Sequence, residues 1–101
     1  MNHQLSAIIF NKHHIINVGF NRWLIRGHLM NIPIRKSIHA EEDAISGCSR
    51  SELWGSSILV FRKNFGLAKP CHRCEQIIRS SGIRNIFYTE TSNDKKIIKK
   101  L

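Results

Sequence analysis

Two short motifs, His39-Ala40-Glu41 and Pro70-Cys71-His72-Arg73-Cys74, constrain this chain more than anything else in it. An imidazole and two thiolates make three protein ligands for a tetrahedral zinc. Three ligands leave the fourth position to water, whereas a structural zinc site fills it with a fourth side chain. The count favours chemistry over stapling. Glu41, two residues from the histidine, is then available to carry protons to and from a metal-activated water.

A solitary C-x-x-C has other readings. It is often redox-active or half of a zinc ribbon. A ribbon needs a second cysteine pair, which Cys48 cannot supply alone, and a thioredoxin-like site leaves His39-Ala40-Glu41 unexplained. His72, between the two cysteines, competes as a ligand in principle but reads as a filler, and His3, His13, His14 and His28 read as surface residues. Three cysteines form an odd, sparse set, suited to a reducing compartment and metal binding rather than to a disulfide framework. Cys48 reads as a small buried hydrophobe.

At 101 residues the chain is one domain, in which a metal or a subunit interface would help a modest core. The start, Met1-Asn2-His3-Gln4, lacks a charged region followed by an apolar one, and no apolar run approaches the ~20 residues that span a bilayer. The expectation is a soluble, intracellular, cytoplasmic protein. The formal net charge of +9 suits polyanionic partners or phosphorylated substrates. Part of it, Lys95, Lys96, Lys99 and Lys100, reads as a solvated basic C-terminal tail over residues 91–101, leaving residues 1–90 as the functional domain.

Residues Leu5–Phe10 and Ile15–Phe20 are short, β-branched and aromatic, and Asn11-Lys12-His13-His14 joins them as a hairpin. Residues 21–36, polar and basic and broken by Gly27 and Pro33, read as a loop with at most a short helical turn. Ser37 precedes a helix from about Ala40 to Cys48, with Glu41, Glu42 and Asp43 in its first turn, where the helix dipole favours acids. Ser57–Phe61 is an apolar run typical of a strand covered on both faces. Cys71–Ser81 forms a second helix between Pro70 and Gly82, and Ile83–Tyr88 closes as another buried strand.

The order β-β-α-β-α-β implies right-handed crossovers in a three-layer α/β/α sandwich with a mixed sheet. Both metal motifs then sit at helix starts. Residues two apart inside a helix point about 200° away from each other, so His39 and Glu41 share a site only beyond the first turn. Cys71 and Cys74, three apart, share a face. Helix N-termini also carry partial positive charge, which stabilises thiolate.

On Val18-Gly19-Phe20-Asn21, Ser37-Ile38-His39-Ala40-Glu41, Lys69-Pro70-Cys71-His72-Arg73-Cys74 and Gly82-Ile83-Arg84-Asn85-Ile86-Phe87-Tyr88, the chain resembles the cytidine deaminase-like superfamily and its cytidylate and deoxycytidylate deaminase-related group. The resemblance implies that His39, Cys71 and Cys74 bind Zn2+, that Glu41 is the catalytic proton shuttle, and that zinc-activated water attacks C4 of cytosine. It also implies that Asn21 contacts the sugar or base and that the backbone of Ala40 meets the pyrimidine edge. Arg22 joins these as a phosphate contact, with Arg26 and Arg35 as alternatives, and Trp23 as a base-stacking candidate. Trp54 reads as core.

The first expectation is therefore deamination of a cytosine nucleotide, deoxycytidylate or cytidylate. The second is editing of cytosine, less readily adenine, in single-stranded DNA or RNA along the basic surface. The third is a non-catalytic zinc-binding module, which the intact Glu41 disfavours. A homo-oligomer is expected, because relatives complete the pocket with elements beyond the equivalent of Tyr88.

Overall fold

The computed structural model describes the backbone of residues 5–29 and 32–101, and the side chains of residues 5–22 and 38–101. Strands β1 (Leu5–Phe10) and β2 (Ile15–Phe20) form the expected hairpin. Asn11 shapes its turn: Oδ1 accepts the backbone N–H groups of His13 and His14 at 2.9 and 3.1 Å, the local mimicry of a turn that asparagine supplies. Then come β3 (Arg22–Leu29), β4 (Ile32–Ile38), α1 (Ala40–Ser46), α2 (Arg50–Leu53), β5 (Ser57–Arg62), α3 (His72–Ser80), β6 (Asn85–Ser92) and β7 (Lys95–Lys100).

Five strands make one mixed sheet in the order β2-β1-β5-β6-β7. Only β5 and β6 pair in parallel, through the expected crossover that carries α3; the other neighbours are antiparallel. The expected mixed-sheet α/β architecture is therefore present. Strand alternation sends Ala7 and Ile9, Ile58 and Val60, and Ile86 and Tyr88 to one face, all buried. There they join Ala40, Ala44 and Ile78 of the helices in a single core. Each fully buried isoleucine contributes about 1.5–3 kcal/mol. On the other face Ile8, Phe10, Leu59 and Phe87 are half-buried, while Val18, Phe20 and Ile98 are exposed.

Gly19 decides how closely α1 approaches this sheet. A Cβ at Gly19 would collide with the backbone of Ala44 and of Ala40, so only glycine lets the helix lie this close. Asn17 adds a bond from its Nδ2 to the Ala44 carbonyl at 2.8 Å. The start of α1 is thereby fixed against β2.

Three expectations are corrected. The stretch read as a loop over 21–36 is an antiparallel two-stranded sheet, with Arg22 opposite Ile38 and Leu29 opposite Ile32. The lysine-rich segment read as a solvated end is β7, hydrogen-bonded along β6, with Lys99 bridging to Glu90 at 2.9 Å. Trp54, expected in the core, is 81% exposed, because it caps the C-terminus of α2 with an extended backbone that turns it outward. Cys48, expected to be a buried hydrophobe, is only half-buried at the edge of the core, and burial raises its thiol above the ordinary value. Side-chain expectations for Trp23, Arg26, His28 and Arg35, and that for His3, lie outside the described residues. No described helix is long and apolar enough to cross a membrane.

Candidate metal centre

His39 and Cys71 occupy equivalent places in the chain: each is the residue that caps the start of a helix. Both have extended backbones, with φ and ψ of −76° and 153° at His39 and −67° and 165° at Cys71, and neither side chain bonds its own helix. A polar N-cap ordinarily turns its side chain back to the first-turn amides. These two instead leave their donor atoms to meet elsewhere.

They meet one another and Cys74. The ligand atoms of His39, Cys71 and Cys74 all lie within 4.8 Å of each other, and His39 Nδ1 is 3.1 Å from Cys74 Sγ. Cys71 is exposed, His39 half-buried and Cys74 fully buried, so the cluster is open on one side. The starts of α1 and α3 both direct their partial positive charge toward it.

Burial, and then the neighbouring Glu41 charge, push the Cys74 thiol far above its ordinary value. A divalent cation at the three donors reverses that balance, since a coordinated thiol is deprotonated outright. Glu41 itself is 4% exposed, and its Oε1 has no hydrogen-bond partner among the described residues. A buried acceptor left unpaired costs about 1–3 kcal/mol, a cost that a water or a substrate N–H at this place would remove. An imidazole with two thiolates suits zinc, and the unpaired carboxylate beside them suits proton transfer. The residues present fit the metal.

The residues expected around a substrate are partly committed to other bonds. Asn21 Oδ1 accepts the N–H of Leu5 at 3.1 Å, and its own N–H reaches the Leu5 carbonyl at 3.3 Å. Arg22 directs Nε and Nη2 to Asp43 Oδ1 at 3.0 and 2.9 Å, while Asp43 Oδ2 takes the Phe20 N–H at 3.0 Å. The Arg22 charge is therefore matched by a carboxylate on α1. Ala40 is fully buried as the first residue of α1, where a helix leaves amide N–H groups without intrahelical partners.

Two contributors were not legible as such in the motifs. Asp43 ties β2 and β3 to α1 through Phe20 and Arg22. Arg73, inside the C-x-x-C, pairs with Glu42 on α1 and holds that carboxyl below its ordinary value. The acidic first turn of α1 had announced a dipole effect; the cross-helix pairing has no signal in one sequence.

Comparison with known proteins places this geometry. The cytidine and deoxycytidylate deaminase zinc-binding region matches residues 1–90. A deoxycytidylate deaminase of Mycobacterium phage D29 is 34% identical over 56 residues, which is 55% of this chain and 39% of that protein. The chain thus spans well under half of that relative. The crystal structure of dCMP deaminase from the cyanophage S-TIM5 in apo form superposes with a TM-score of 0.60 at 22% identity, over 89% of this chain and 68% of that one. The same enzyme in complex with dCMP and dUMP gives 0.59 at 21% identity, over 83% and 63%. At such identities the likeness establishes the fold. With that region matching residues 1–90 of the chain and an imidazole and two thiols gathered at two helix starts, the chain belongs to the cytidine and deoxycytidylate deaminase zinc-binding family.

Proposed function

We propose that the chain catalyses hydrolytic deamination of the cytosine base of a nucleotide, deoxycytidylate or cytidylate, to uracil with release of ammonia. The observation that carries this reading is Glu41: a buried carboxylate beside Cys74 of the His39, Cys71 and Cys74 cluster, with one oxygen that has no partner among the described residues. A non-catalytic zinc module has no use for that arrangement.

Zinc held by those three side chains supplies a Lewis acid that brings the pKa of a water toward neutrality. Glu41 takes one proton from the attacking water and delivers it to ring N3, then carries that water's remaining proton, left on the new C4 hydroxyl, to the departing amino group. One water is consumed, the C4–N bond breaks and ammonia leaves. Burial of Glu41 keeps bulk water from competing for the proton. In the same reading the Ala40 backbone meets the pyrimidine edge, and Asn21, anchored by Leu5, meets the sugar or base.

The nucleotide as substrate is supported by the phage relative named as a deoxycytidylate deaminase and by the cyanophage enzyme solved with dCMP and dUMP. Mass spectrometry of the zinc-loaded protein with deoxycytidylate and with cytidylate tests it. Conversion to the uracil nucleotide is expected, and Glu41→Ala is expected to keep zinc while losing on the order of 10²–10⁴ in rate. No conversion of either nucleotide, or Glu41→Ala within tenfold of the parent, overturns the reading.

A further inference from the structure

At the end of β5 away from the metal centre, the exposed Trp54 lies near cations with no ion-pair partner among the described residues. Trp54 is 81% exposed, an unusual position for the largest apolar side chain. Close by, a shallow cavity of about 460 Å³, open to solvent, is bordered by Phe10, Lys12, Arg84 and Asn85. Lys12 and Arg84 are exposed, and neither has an ion-pair partner among the described residues.

The two features are continuous. Asn11 and Gly55 border this cavity and also the hollow that Trp54 walls on its near side. On its far side Trp54 borders a second hollow shared with Arg50. One carboxylate lies along this surface, Glu52, and its Oε1 is bound by the N–H and hydroxyl of Ser49. Six strand residues separate this end from the other end of β5, roughly 17–20 Å at a strand rise of about 3.3 Å per residue, so the surface is distinct from the cluster built on Cys71 and Cys74.

We propose that this end of the sheet binds single-stranded nucleic acid, with a base stacked on Trp54 and phosphates held by Lys12 and Arg84. Aromatic faces interleaved with cations are the means by which proteins hold single strands without reading sequence. A duplex hides its base faces and gains nothing from Trp54. An acidic peptide satisfies the cations but not the aromatic faces. The net charge of +9 adds the long-range attraction. The inference stands apart from the deaminase reading, since none of its residues belongs to the metal centre.

The test is fluorescence anisotropy of a labelled oligothymidylate of roughly a dozen nucleotides across a salt series, with tryptophan emission recorded in parallel. Binding is expected to quench tryptophan emission. Trp54→Ala is expected to weaken binding about tenfold and remove most of the quenching. Lys12→Gln with Arg84→Gln is expected to lower the slope of log affinity against log salt by about 1.4, which is 0.7 for each lost phosphate contact. Both variants are expected to deaminate free nucleotide at the parent rate and to keep the parent circular dichroism. The proposal is overturned if the parent shows no binding at low salt, or if the double variant binds with unchanged affinity and slope. It also falls if Trp54→Ala leaves affinity and quenching unchanged, or if duplex DNA or polyglutamate competes as well as the single strand.

Discussion

Arg73, between the two cysteines of the metal motif, forks onto Glu42 of the other helix, Nη1 to Oε1 at 2.9 Å and Nη2 to Oε2 at 3.1 Å. The pair ties the start of α3, which carries Cys71 and Cys74, to the start of α1, which follows His39. Arg73 is 57% exposed in its side chain, so solvent screens the pair and its contribution is small. Arg73→Met should therefore weaken zinc affinity by no more than about fivefold, measured by competition with a chromophoric chelator. Arg73→Lys should recover only part of this, because an ammonium cannot fork. Unchanged affinity in Arg73→Met would show that the helices hold their register without the pair.

Removing a donor is a much larger change. Cys71→Ala or His39→Ala leaves two protein ligands, and two do not make a zinc site of this kind. Metal analysis after purification without chelators should find about one zinc per chain in the parent and almost none in either variant. Full zinc retention in Cys71→Ala would displace the assignment to other side chains.

Gly19→Ala acts on the same site through packing. The added methyl meets backbone at Ala40 and Ala44, which cannot swing aside like a flexible side chain. Overpacking of this kind costs roughly 1–3 kcal/mol. Urea unfolding should show a lowered midpoint with an unchanged m-value, and zinc should dissociate faster because His39 moves with α1. A variant as stable as the parent would mean that the helix shifts without strain.

The metal motif and the strands around it are legible in the sequence because each is written in residue chemistry. Donors are named by their atoms, and buried strands such as Ser57–Arg62 by unbroken apolar runs. The two-stranded sheet of β3 and β4 was hidden because Gly27 and Pro33, ordinary breakers, interrupt it. Strand β7 was hidden by its lysines, which suit a solvated tail and an edge strand equally; on an edge they also discourage pairing with other chains. Trp54 misled for a different reason. Apolar size predicts burial only on average, and the backbone of Trp54 at the end of α2 turns it to solvent. Arg22 was given to a phosphate because its charge is visible in sequence, whereas its pairing with Asp43, far along the chain, is not.

The last prediction concerns the helix that ends in Trp54. Helix α2 starts with a capping box: the Glu52 N–H bonds the Ser49 hydroxyl at 3.3 Å, and Glu52 Oε1 accepts the Ser49 N–H at 2.8 Å. The Ser49 backbone bond, and then the Ser49 hydroxyl, hold the Glu52 carboxyl below its ordinary value of 4.5. A carboxyl lowered in the folded state stabilises it above the unfolded value, and that contribution is lost as pH falls through the lowered one. The box should therefore stay closed down to pH 4.5 and open only below it. An NMR titration of the Glu52 side-chain carboxyl should give a midpoint under 4.5 in the parent. In Ser49→Ala, which removes the hydroxyl bonds and keeps the backbone one, the midpoint should move back toward 4.5. A parent midpoint at or above 4.5 would show that the box does not hold Glu52 in solution.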